Sequence, residues 1–83
     1  MNDKAVMGIT LLAFGPLAEE LGWKRHQLKL ENQQNIGQIL QTLGLEQWKE
    51  KGLITALNSI RCDLNAELKD GDELALLPPV SGG

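Results

Sequence analysis

The sequence predicts a single α+β domain in which a mixed sheet packs on one main helix. Three observations predict it. One amphipathic helical repeat, at Ile36, Ile39, Leu40 and Leu43, has strand-like segments on both sides of it. At 83 residues the chain is long enough for one core and too short for two. Apolar residues make up 42% and charged residues 23%, the balance of a globular domain. A chain this size buries only about 60% of the surface its unfolded form exposes, which makes the domain modestly stable.

The elements follow in order. Ala5 to Phe14 is mainly apolar, with Val6, Ile9 and Thr10 branched at Cβ, and reads as a buried first strand. Gly15-Pro16 interrupts it, and Leu17 to Leu21 makes a short helical turn stopped by Gly22. His26 to Glu31 alternates, Leu28 and Leu30 against Gln27, Lys29 and Glu31, as a second strand with one wet face. The main helix opens on Asn35 with Gln38 three residues on, a capping-box spacing, and closes at Gly44. Leu45 to Lys51 is a weaker turn ended by Gly52. Leu53 to Leu64 is apolar and branched but broken by Asn58 and Ser59, so it reads as two short strands whose register the pattern leaves open. Asp70-Gly71-Asp72 marks a turn, Glu73 to Leu77 the last strand, and Pro78-Pro79 its end. This order and length fit the β-grasp arrangement. They divide the chain into a domain over residues 1–77 and an extended tail over 78–83.

Composition excludes several function classes. Eight Lys and Arg against eleven Asp and Glu give a net charge of −3, which opposes nucleic-acid binding through phosphate neutralisation. No stretch approaches the roughly 20 apolar residues of a membrane-spanning helix. Met1-Asn2-Asp3-Lys4 does not begin a secretory signal, and a single cysteine, Cys62, rules out an internal disulfide or a cysteine-rich metal site. The expected compartment is the reducing cytoplasm.

Catalytic side chains are scarce. A nucleophile–base pair could be built only from Cys62 and His26, which are far apart in sequence, so a small core hydrophobe and a solvent-facing imidazole are the better readings. Asp70, Asp72 and Glu73 are too few and too close for a calcium loop and serve better as turn chemistry. No metal site is expected, and no phosphate-cradling loop occurs. Trp23 and Trp48 read equally well as partner anchors or as lids on the core. Lys49, Glu50 and Lys51 read as a solvated helix face.

The end of the chain is different. Leu76-Leu77-Pro78-Pro79-Val80-Ser81-Gly82-Gly83 passes from an apolar strand through two prolines to two glycines. Prolines lack the N–H that a strand needs and hold φ near −65°, so the chain leaves as a stiff spacer. Six residues at about 3.1–3.3 Å each reach roughly 19 Å. Two glycines let the end pass a channel no wider than a backbone. The terminal carboxylate is then the one reactive group offered. It becomes an electrophile once another enzyme converts it to an acyl-adenylate, whose nucleotide a sulfur nucleophile can displace.

The run from Leu68 to Gly83, with its Pro-Pro-Val-Ser-Gly-Gly ending, resembles the MoaD-type sulfur carriers, the small subunits of molybdopterin synthase. Phe14 to Gly22 resembles the segment that follows their first strand. The resemblance implies a ubiquitin-like β-grasp fold with no catalytic group or bound cofactor of its own. It implies that Gly83 is adenylated with ATP by a ubiquitin-activating-like adenylyltransferase and then carries a thiocarboxylate, a 1-thioglycine. Gly82, Ser81, Val80, Pro79 and Pro78 would thread into the active site of the large subunit, within a heterotetramer. There the sulfur would pass to cyclic pyranopterin monophosphate to build the molybdopterin dithiolene. Phe14, Leu76 and Leu77 match the family's docking surface. Ala18 departs from it, standing where relatives often carry a basic residue. The acidic balance of the chain would favour a basic groove on the partner.

Three other readings share these features. A sulfur carrier for thiamine thiazole synthesis uses the same tail chemistry, although such carriers usually lack the paired prolines. A ubiquitin-like modifier would join Gly83 to target lysines. A plain interaction module would have an incidental tail.

Overall fold

The computed structural model describes residues 7–79. Along the chain run β1 (Met7–Ala13), α1 (Gly15–Leu21), β2 (Arg25–Leu30), α2 (Ile36–Leu43), α3 (Glu46–Glu50), β3 (Ile54–Leu57), β4 (Ile60–Cys62) and β5 (Glu73–Leu77). The strands form one sheet in the order β2-β1-β5-β3-β4. β1 and β5 pair in parallel at its centre, and the other pairings are antiparallel. This is the mixed sheet of the β-grasp fold that the sequence predicts.

Pleating sends alternate residues to opposite faces, and the inner face carries the core. Ile9, Leu11 and Ala13 of β1, Leu30 of β2 and Leu74 and Leu76 of β5 meet Ile36, Ile39 and Leu40 of α2, all of them buried. Leu17 and Ala18 of α1 close one side. Each fully buried Leu or Ile contributes about 1.5–3 kcal/mol relative to exposure. Leu45 and Leu68 also bury completely, at 1% and 0% exposure. Sequence periodicity passes over Leu68 because it stands alone in a polar stretch. The structure seats it through its backbone N–H, which donates to the Gln34 carbonyl at 3.0 Å.

Several boundaries move for identifiable reasons. The expected first strand begins at Ala5, outside the described residues, and it ends at Ala13 because Phe14 becomes the extended N-cap of α1. Gly15 and Pro16, expected as a break, lie inside the first turn of α1, where the missing proline N–H leaves no bond unmade. The second strand starts one residue early, at Arg25. The capping box on α2 forms both ways: Asn35 Oδ1 accepts from the Gln38 N–H at 2.8 Å, and Gln38 Oε1 accepts from the Asn35 N–H at 2.9 Å.

Asn58 and Ser59 link β3 and β4 as a two-residue hairpin turn, with φ of 52° and 72°. Both values are those of a type I′ turn, whose twist matches the strands. Asn58 also pins the hairpin to β5. Its N–H donates to the Glu73 carbonyl at 2.8 Å, its Oδ1 accepts from the Glu73 N–H at 3.0 Å, and its Nδ2 donates to Asp72 Oδ1 at 2.9 Å. The acidic turn is occupied in the same way. Asp70 Oδ1 accepts from the Gly8 N–H and Asp72 Oδ2 from the Lys69 N–H, each at 2.7 Å. These carboxylates do turn chemistry.

Candidate functional site

Val80, Ser81, Gly82 and Gly83 lie outside the described residues, so the site is defined by its root. β5 runs parallel to β1 with Ala13 opposite Leu76. The tail therefore leaves beside the corner where Phe14 turns β1 into α1. Two glycines line this exit. Gly15 sits at φ 59°, and a Cβ placed on it would meet the Pro78 ring at 3.5 Å. Gly52, in the loop between α3 and β3, sits at φ 98°, and its Cβ would meet Pro79 at 3.5 Å. Both positive φ values are comfortable only for glycine. Each proline thus rests on the bare face of a glycine held in a left-handed turn.

The two supports are joined to each other. Trp48 Nε1 donates to Glu20 Oε1 at 3.1 Å, linking α3 to α1, and the Lys51 ammonium lies 5.0 Å from the centre of the same indole. The Leu53 N–H donates to the Trp48 carbonyl at 3.0 Å, which carries the tie into the Gly52 loop. Trp48 therefore acts here as a partly buried brace. Trp23, also half-buried against the core, stacks on the exposed imidazole of His26 at 5.0 Å between ring centres.

His26 lies on β2 and Cys62 on β4, the two edge strands of the sheet. Four strand spacings of about 4.8 Å, roughly 19 Å, separate them, so they cannot act as a nucleophile and base. Cys62 is half-buried, with Sγ 3.9 Å from the Thr55 carbonyl. The Thr55 hydroxyl, buried, donates to the Cys62 carbonyl at 2.9 Å. Lys49, Glu50 and Lys51 are exposed. Among the described residues no group of three His, Cys, Asp or Glu could hold a metal ion. No helix among them is long and apolar enough to cross a membrane.

The expected docking set needs one correction. Phe14 is 45% exposed and Leu77 half-buried, but Leu76 is 0% exposed and belongs to the core. Strand parity explains it: Leu74 and Leu76 point inward, so Ala75 and Leu77 point outward. Ladder pairing extends that outer face sideways. Leu12 lies opposite Ala75, Ala75 opposite Ala56, and Leu77 opposite Ile54. Leu12, Ile54, Ala56 and Ala75 were not singled out by the sequence, because an unbroken apolar run does not say which residues face out. Ala18 is buried on α1 at 7% exposure and adds no polar group to this face. What remains is an apolar sheet face beside a braced tail root.

Comparison with known families matches residues 11–83 to the ThiS family. Among solved structures, the complex of subunits 1 and 2 of molybdopterin-converting factor from Helicobacter pylori matches at 35% identity and a TM-score of 0.62, over 93% of this chain and 100% of that one. The small archaeal modifier protein 1 from Methanosarcina acetivorans matches at 25% identity and a TM-score of 0.72, over 95% and 99%. A Pyrococcus furiosus protein assigned as subunit 1 of molybdopterin converting factor shares the fold, with a TM-score of 0.75 at 20% identity over 89% and 99%. A search of curated proteins finds no match.

Proposed function

We propose that this chain, which belongs to the ThiS family of ubiquitin-like sulfur carriers, is the sulfur-donating small subunit of a molybdopterin synthase. The observation that carries this reading is the tail root: Pro78 and Pro79 seated on Gly15 and Gly52 at the end of β5. Such a root fixes where the tail begins, at the end of β5. In this reading an adenylyltransferase joins the Gly83 carboxylate to AMP with release of pyrophosphate. A sulfur nucleophile then displaces AMP and leaves a thiocarboxylate. The large subunit admits Val80, Ser81, Gly82 and Gly83, and excludes water from the hydrolysable thioacid until the sulfur attacks cyclic pyranopterin monophosphate. Hydrolysis then returns the carboxylate, and a second loaded chain completes the dithiolene. The likeness to the Helicobacter pylori complex of subunits 1 and 2 supports a large-subunit partner, and in this reading the two form a heterotetramer. The reading places the protein in the cytoplasm.

The test is intact mass after incubation with the activating enzyme, ATP and a sulfur source. Exchange of one oxygen for sulfur at Gly83 is expected, and deletion of Gly83 should abolish both the exchange and molybdopterin formation without changing the circular dichroism spectrum. A chain lacking Gly83 that still supports molybdopterin formation overturns the reading.

Two relatives of this reading keep specific support. The family match covers carriers for thiazole synthesis, and capture of a thiazole synthase in place of a molybdopterin synthase large subunit would favour that role. The likeness to small archaeal modifier protein 1 supports a modifier, which isopeptide linkage of Gly83 to lysines would reveal.

A further inference from the structure

The outer sheet face has a charge pattern that net charge conceals. Arg25 lies opposite Leu12, and Arg61 lies opposite Ala56. One cross-strand row therefore reads Arg25, Leu12, Ala75, Ala56, Arg61, edge to edge. Both arginines are exposed and the three central residues are half-buried. Lys29 shares this face, and Glu73, at the end of β5 away from the tail, is its one strand carboxylate. The helices carry the opposite sign: Glu19 and Glu20 on α1 and Glu46 and Glu50 on α3, against Lys49. A chain of net charge −3 thus offers a cationic sheet face beside its tail.

Short-range docking responds to the local potential, because charges farther apart than about 8 Å are screened at physiological salt. The two arginines stand four strand spacings apart, about 19 Å, so each meets its own partner group. On a protein surface the group that matches a guanidinium fork is a carboxylate, and an apolar centre within a polar rim is the common anatomy of a protein interface.

We infer that this face docks a protein surface made of an aliphatic centre flanked by two carboxylates about 19 Å apart. This rests on the carrier reading and assigns the surface to the large subunit. It replaces the basic groove expected from net charge with an acidic-rimmed one.

The test is the association of the full chain with the molybdopterin synthase large subunit of the same organism, followed over a salt series. Arg25→Glu combined with Arg61→Glu should slow association about 10-fold or more at low salt and flatten or invert its salt dependence. Arg25→Lys with Arg61→Lys should keep most of the rate. Both side chains are exposed, so an unchanged melting temperature shows that the fold is intact. Wild-type binding that is indifferent to the reversal, or quickened by it, overturns this inference and leaves the carrier reading standing. Wild-type failure to bind the large subunit at any salt overturns both. Self-association of the wild type that the reversal abolishes assigns the face to a second copy and overturns the inference.

Discussion

The two faces of this sheet are built from neighbouring residues, in places from the same residue type, yet they do different work. Leu76 and Leu77 are adjacent. One is sealed in the core and the other lies half-open beside the tail root. Leu11 and Leu12 divide in the same way on β1. On the inner face a leucine is valued for volume, because closely packed neighbours cannot fill the space it leaves. On the outer face it is valued for what a partner would cover. Side-chain chemistry is identical across each pair, and pleat parity alone separates the buried member from the half-buried one.

The pair Leu76 and Leu77 can break that comparison most directly. Leu76→Ala should destabilise the domain by about 2–5 kcal/mol in urea unfolding, as cavity-forming core substitutions do. Leu77→Ala should leave the unfolding midpoint nearly unchanged and weaken binding of the large subunit. A comparable stability loss from both would show that the faces are not divided by parity.

A smaller effect sharpens the contrast at the tail root. Gly52→Ala forces a side chain onto a φ of 98° and should cost about 1–2 kcal/mol. Because Pro79 rests on this loop, sulfur transfer should slow further than the stability loss accounts for, with binding of the large subunit retained. A transfer rate that merely tracks the folded fraction would show that the loop does not orient the tail. The smallest expected change is on the helix that covers the inner face. Asn35→Ala removes the acceptor for the Gln38 N–H and should cost about 1 kcal/mol, leaving partner binding unaltered. A loss of partner affinity in this variant would mean that the two faces are coupled through the core.

Much of the molecule is legible in the residues. The capping box at Asn35 and Gln38, the period of Ile36, Ile39, Leu40 and Leu43, the turn at Asp70 to Asp72 and the prolines after Leu77 each encode a local geometry. Such signals act over a few residues, through hydrogen bonds and φ restrictions that any context preserves. The proposed tail chemistry rests on signals of the same kind, since it needs only a carboxylate, two glycines and a stiff spacer.

Other features wait on chain segments that meet only after folding. Leu68 has no periodic neighbours to announce its burial. Ala5 to Phe14 and Glu73 to Leu77 hold too many adjacent apolar residues to show which face out, so the run alone does not place Leu76 in the core. Gly52 reads as a helix stop until β5 brings Pro79 against it. Arg25 and Arg61 read as scattered surface charge until the strand order places them at the two ends of one row. Sequence settled which groups this protein possesses and where its backbone turns. Tertiary structure decided which groups stand side by side, because a sheet's faces and neighbours come from long-range pairing that no local run of residues contains.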